Sequence, residues 1–130
     1  MKNEGLILMD QKFNTLQQIL NEITKDSGFY GSIISSEEGL IILNSSQMDP
    51  KVEIESLAAK AASIFNEDDV VADHPEDITI SYINKKIFIQ KVSLPDNSDN
   101  YLLLITLMPH NYRYFRRRIN KIINLVLKSC

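Results

Sequence analysis

The sequence predicts an α+β domain: one five-stranded antiparallel sheet flanked by three helices, in the order α-β-β-α-β-β-β-α. Three observations carry that expectation. Apolar residues recur at helical 3,4 spacing near both ends of the chain and once in its middle. Between those stripes lie five short runs rich in β-branched, aliphatic and aromatic residues, with turn-forming residues around them. A length of 130 residues with 44% apolar and 24% charged side chains matches one ordinary domain with a real core.

The elements follow in order. Leu6, Met9, Phe13, Leu16, Leu20 and Ile23 step by 3,4,3,4,3, which predicts a helix. Ser27-Gly28 closes it, Gly being the usual residue just past a helix end, so its span is roughly 5–26. Two strands are expected at 29–36 and 40–45, joined by Glu37-Glu38-Gly39, whose Gly can turn left-handed. Asp49-Pro50 reads as a helix opening. The stripe that follows, Ile54, Leu57, Ala58, Ala61, Ile64 and Phe65 with Ala62, covers roughly 160°, and Ala59 widens it. The excess is Ala, which lets a second backbone come close.

Residues 66–77 hold six acidic groups (Glu67, Asp68, Asp69, Asp73, Glu76 and Asp77) and no Lys or Arg, and read as a loop. Ile78 to Ile83 alternates as a strand, Asn84-Lys85-Lys86 turns the chain, and Ile87 to Leu94 alternates again. After a polar loop at 95–100, Tyr101 to Met108 is apolar except for Thr106, as a strand buried on both faces would be. Pro109 stops it, and Asn111 suits a cap for the last helix, where Tyr112, Phe115, Ile119, Ile122 and Val126 repeat the 3,4 spacing. Arg113, Arg116, Arg117, Arg118, Lys121 and Lys128 make this tail basic, with no acidic residue from 111 to 128. The two long helices with matching stripes are expected side by side on one face of the sheet, with the Ala-rich helix on the other.

Several chemistries are excluded or disfavoured. A lone Cys130 allows no disulfide framework and no Cys-rich zinc site. The glycines, Gly5, Gly28, Gly31 and Gly39, build no phosphate loop, so the chain is not expected to hydrolyse a nucleotide itself; no Gly-x-Ser-x-Gly elbow occurs, and no cofactor is expected. His74 with Asp68, Asp69, Asp73 and Asp77 offers hard-cation donors but lacks any calcium-loop spacing, and no metal site is expected. His110, beside Pro109, reads as a residue at a helix entrance. Gly28-Phe-Tyr-Gly31 has the spacing of an RNA-clamping loop, but it joins a helix to a strand and carries no basic residue. A formal net charge of −3 disfavours DNA binding by the whole chain. Leu6 to Met9 is too short for a signal-peptide core and no run approaches the ~20 residues of a membrane helix, so the expected location is cytoplasmic, without membrane insertion. In that setting the sequon Asn44-Ser45-Ser46 reads as polar loop.

The order of elements, with Leu16-Gln-Gln-Ile-Leu20, then Ser27-Gly-Phe-Tyr-Gly-Ser-Ile-Ile-Ser-Ser-Glu-Glu-Gly-Leu-Ile-Ile42 and the Ala-rich run from Ile54 to Phe65, resembles the roadblock domain. That family is named from a dynein light chain and has bacterial and archaeal relatives that regulate small GTPases. The resemblance spans roughly residues 12–127, leaving 1–11 as an amino-terminal helix extension of a single domain over 1–130. Glu38-Gly39 replaces the commoner Asp-Gly turn. Longin and profilin-like domains share the architecture.

The resemblance implies a non-enzymatic dimeric scaffold or regulator that binds a small Ras-like GTPase. Family members pair through the second helix and third strand. That makes Ala58, Ala59, Ala62, Phe65, Ile78, Ile80 and Tyr82 the interface candidates, although the monomer core could claim some of them. The partner in the pair is a second copy or a related roadblock-like chain. Arg113, Arg116 and Arg117 are candidate partner-facing residues. The alternatives are a longin-like trafficking adaptor, or an adaptor binding RNA or an anionic membrane through the basic last helix. A small-ligand sensor is a third.

Overall fold

The computed structural model describes residues 2–66, 75–95 and 99–129, with residues 2–13 described by their backbone alone. Its elements are α1 (Lys2–Asp26), β1 (Gly31–Ser36), β2 (Ile41–Asn44), α2 (Ile54–Asn66), β3 (Asp77–Ser81), β4 (Lys86–Ser93), β5 (Tyr101–Met108) and α3 (Arg116–Lys128). The five strands form one antiparallel sheet in the order β2-β1-β5-β4-β3. The expected α-β-β-α-β-β-β-α order and three-helix, five-strand architecture are therefore those of the molecule.

β5 is the central strand, and its period-2 alternation divides the core in two. Leu104 and Met108 join Ile34, Leu43, Phe88 and Val92 on the face covered by α1 and α3, through Leu20, Ile119, Ile122 and Val126. Leu103, Ile105 and Leu107 join Ile33, Ile87 and Ile89 on the opposite face, beneath Ala58, Ala61, Ala62 and Phe65 of α2. The two helices with matching stripes thus share one face and the Ala-rich helix takes the other. Leu16, Leu20 and Ile23 of the first stripe pack as expected; the side chains of Leu6, Met9 and Phe13 lie outside the described ones. So do the acidic positions 67–74, the tip of the 95–100 loop at 96–98, and Cys130.

Two glycines fix the chain path. Gly28, at φ +72°, ends α1 with its N–H on the Lys25 carbonyl (3.1 Å) while the Phe29 N–H reaches Thr24 (3.1 Å), satisfying two terminal carbonyls. Phe29 is then delivered fully buried into the core, so the Gly28–Gly31 segment is a helix stop and not a nucleic-acid clamp. Gly39, at φ +89°, closes the β1–β2 hairpin, where the Ser36 N–H donates to the Leu40 carbonyl (2.8 Å). That turn sits directly against α2: a Cβ at Gly39 would lie 2.9 Å from the Ala59 Cα and 3.0 Å from the Ala58 carbonyl oxygen. One backbone that the small residues of α2 admit is therefore the hairpin of the same chain.

Two helix starts differ from expectation. α2 opens at Ile54, not at Asp49-Pro50. The Asp49 carboxylate instead accepts from the Lys51 N–H (3.0 Å) and from Lys85 Nζ (3.1 Å), holding a turn that ends before the helix begins. Asn111 does not cap α3, which starts at Arg116 with no side-chain cap on its first turn. Tyr114 at φ +59° interrupts the backbone between them, and helical geometry resumes only after it. Tyr82 and Ile83, expected in the third strand, belong to the β3–β4 turn, where the Tyr82 N–H donates to the Lys85 carbonyl (2.8 Å).

Candidate functional site

Two surfaces hold the residues singled out from the sequence. The first is formed by α2 and β3. β3 closes one edge of the sheet, with no further strand beyond it among the described residues. Its Ile78 and Ile80 are half-buried against the α2 side of the core, while Tyr82 is 48% exposed just beyond the strand end. Ala58, Ala62 and Phe65 are buried within the chain itself, because the inner face of α2 rests on the sheet. They have no surface left to offer a partner. Ala59 is exposed on the outer side of the same helix. Of the seven interface candidates, the ones that present surface are Ala59, Ile78, Ile80 and Tyr82.

The polar anchors of this face lie at one end of it. Tyr101 Oη donates to Asn66 Oδ1 (3.0 Å), and Asn66 Nδ2 donates to the Glu37 carbonyl (3.2 Å). This chain ties the start of β5, the end of α2 and the hairpin turn together. Burial pushes the Tyr101 phenol above its ordinary range, and the carboxylates of Glu37 and Glu38 push it the same way.

The second surface is the segment Tyr112–Arg118, which curls around an open cavity of 810 Å³. Two aromatic anchors hold it. Tyr112 donates through Oη to the Ser27 carbonyl and packs on Phe29 (centroids 5.3 Å apart). Phe115 packs on Phe88 (4.9 Å). Lys86 Nζ donates to the Tyr112 carbonyl and sits 4.7 Å above the Phe115 ring. Tyr114, between the anchors, is 90% exposed. Arg116 leans over Phe88 (5.0 Å to the centroid) and pairs with Asp77 at 3.5 Å while staying largely exposed. Arg113 and Arg117 are exposed, with no ion pair or hydrogen bond among the described residues. Sequence reasoning named the arginines as candidates and held Tyr114 only as part of the interleaved aromatic and basic stretch Tyr112–Arg118, which could serve RNA or an anionic membrane. The available signal was that Tyr114 falls off the 3,4 stripe that Tyr112 and Phe115 belong to.

A smaller cavity of 410 Å³ lies between Tyr30, Met48, Pro50, Asn84 and the Asp49–Lys85 pair. The Lys51 N–H, then the Lys85 ammonium, hold the Asp49 carboxyl below its ordinary value of 3.8. Both charges of this pair are satisfied by each other, so it reads as a clasp between two loops. Among the described residues no group of three or more His, Cys, Asp and Glu is placed to hold a metal ion. No helix among them is long and apolar enough to cross a membrane.

With this geometry in view, the comparisons with solved structures are consistent with one another. The gliding protein MglB of Thermus thermophilus matches over 91% of this chain and 90% of its own, with a TM-score of 0.73 and 9% identity. Myxococcus xanthus MglB matches over 89% and 87%, with a TM-score of 0.69 and 14% identity. A Roadblock/LC7 domain from Streptomyces avermitilis matches over 84% and 95%, with a TM-score of 0.63 and 16% identity. No protein-family model and no curated protein sequence matches the chain. The molecule has the roadblock fold, as the resemblance implied, and at these identities the likeness speaks for the fold alone.

Proposed function

We propose that this chain is a non-enzymatic, self-associating platform that binds a small Ras-like GTPase. The observation that carries the reading is the end-to-end likeness to MglB and roadblock domains, with nearly all of both chains matched. MglB has been seen in a tetrameric arrangement, which supports self-association in molecules of this shape. In the family that the sequence resembles, pairing runs through the second helix and the third strand. Here those elements offer an exposed Ala59 and a β3 edge that is open among the described residues, and an open edge favours pairing with another strand. A paired sheet with helices on its faces is broad enough for a standard interface of about 800 Å² per partner. Scaffolding is favoured over activation, since no motif places Arg113, Arg116 or Arg117 as a residue supplied in trans.

The experiment is retention of purified small GTPases from the source genome on the immobilised chain, each loaded with GDP or a GTP analogue. At least one is expected to be retained, with a preference for one nucleotide state. Retention of none, in either state, would overturn the GTPase reading.

A further inference from the structure

Three loops meet at one end of the sheet. Lys86, the first residue of β4, pairs in register with Met108, the last of β5. The β3–β4 turn at Tyr82–Lys85 and the Pro109–Phe115 segment therefore leave the sheet at the same end. The segment entering β1 is there too, because the Tyr30 N–H donates to the Leu107 carbonyl (2.8 Å). Six large apolar side chains are exposed among the described residues, and four of them (Tyr30, Tyr82, Ile83 and Tyr114) are at this end. The remaining two, Leu40 and Ile42, belong to the β1–β2 hairpin at the other end. Ile83 and Tyr114 are the extremes, 98% and 90% exposed, Ile83 within the β3–β4 turn and Tyr114 just before α3.

The charges on the three loops themselves and at the start of β4 and α3 are positive. Lys86, Arg113 and Arg117 flank Ile83 and Tyr114 without an acidic partner among the described residues; of the nearby carboxylates, Asp49 of the β2–α2 loop is engaged by Lys85, and Asp26 and Glu53 lie outside the three loops. The chain as a whole is −3, so this end is a local positive patch on a negative molecule.

We propose that this end of the sheet docks on the surface of an anionic phospholipid bilayer, with Ile83 and Tyr114 entering the interface and Arg113 and Arg117 facing lipid phosphates, while Lys86 stays on the Tyr112 carbonyl and adds its charge from behind. Charge complementarity supplies the attraction, which reaches only about 8 Å at physiological salt and so acts through this patch rather than through net charge. The apolar tips decide for lipid over nucleic acid. An aliphatic Ile83 has no face on which a base can stack, whereas it gains by leaving water for the acyl boundary. A Tyr flanked by Arg belongs at a membrane–water boundary, where its ring and hydroxyl are both accommodated. Binding of this kind is shallow and reversible. It goes beyond GTPase binding and does not depend on it.

The test is flotation of the full chain with phosphatidylcholine vesicles, with and without phosphatidylserine. Flotation is expected only with phosphatidylserine, and salt should release it. Arg113→Gln and Arg117→Gln should each lower partitioning about fivefold. Ile83→Ser and Tyr114→Ser should weaken it comparably, with unchanged melting, since all four side chains are exposed. Leu40→Ser, at the opposite end, should leave it unchanged. No flotation at low salt would overturn the proposal, as would equal losses for Leu40→Ser and Ile83→Ser. Binding of single-stranded RNA that survives Ile83→Ser, without flotation, would assign the patch to nucleic acid and overturn it as well. GTPase retention is measured without vesicles, so either result can fail alone.

Discussion

Substituting Gly39 by Ala tests how tightly the β1–β2 hairpin is locked onto α2. Two penalties apply. At φ +89° an L-residue pays for left-handed backbone, about 1–2 kcal/mol. The new Cβ would also meet the Ala59 Cα at 2.9 Å and the Ala58 carbonyl oxygen at 3.0 Å. Both are backbone atoms of a helix already seated on the sheet, so they cannot swing aside, and overpacking of this kind costs about 1–3 kcal/mol. The expected loss is about 2–5 kcal/mol, a large part of the ~5–15 kcal/mol that holds an ordinary domain.

Gly28 is the internal control. It is also left-handed, at φ +72°, but a Cβ there has nothing within 4 Å. Gly28→Ala should therefore lose only the dihedral part, about 1–2 kcal/mol. Gly39→Asn separates the terms again: Asn tolerates the left-handed region but carries the same Cβ, so it should recover part of the loss and no more. Urea unfolding of the variants measures this, with about 1 M of midpoint shift for every 2 kcal/mol at constant slope. Equal losses for Gly39→Ala and Gly28→Ala would refute the close approach of hairpin and helix. Full recovery by Gly39→Asn would do the same.

Other variants probe the core and the clasp. Thr106 Oγ1, on β5 between Ser32 and Phe88, is buried without a hydrogen-bond partner among the described residues. Thr106→Val should leave stability unchanged or raise it by up to about 1 kcal/mol, whereas a clear loss by thermal melting would mean that the hydroxyl is satisfied. Asp49 has its folded pKa depressed, so its contribution is complete above the ordinary 3.8 and is lost as pH falls through the lower folded value. Asp49→Asn should destabilise the chain at neutral pH, with the difference from wild type shrinking in acid; a difference constant with pH would refute the clasp. The Tyr101 phenol is raised, so phenolate absorbance should show one tyrosine ionising late, and Tyr101→Phe should remove that late step. A titration unaltered in its late part would contradict the placement of Tyr101.

What the sequence disclosed follows from how local each signal is. β5 was read to its full bounds, Tyr101 to Met108, because burial on both faces makes a run that is apolar but for Thr106 and that Pro109 ends. Gly28 and Gly39 announced themselves because their backbone conformation excludes most other residues. The start of α3 misled because Tyr112 keeps helical spacing with Phe115 and Ile119 while the backbone between Tyr112 and Phe115 is not helical. Their spacing reflects a shared target, the α1–α3 core, reached from a loop as well as from a helix. The Ala-rich face of α2 was ambiguous for a related reason. Contact with the Gly39 turn and contact with another chain demand the same small side chains, and only the tertiary fold assigns Ala58 and Ala62 to the interior. The exposed tips left unequal traces: Ile83 continued a strand pattern, whereas Tyr114 fell off a stripe within the interleaved aromatic and basic stretch Tyr112–Arg118.

The central claim, a self-associating platform for a small GTPase, is tested most directly by light scattering on a sizing column, on the chain alone and then mixed with each candidate GTPase. The account predicts about twice the 14.9 kDa chain mass or a multiple of it for the chain alone, and a heavier co-eluting species with one GTPase in its preferred nucleotide state. A particle of 14.9 kDa that persists on concentrating, and whose elution no GTPase shifts, would contradict it.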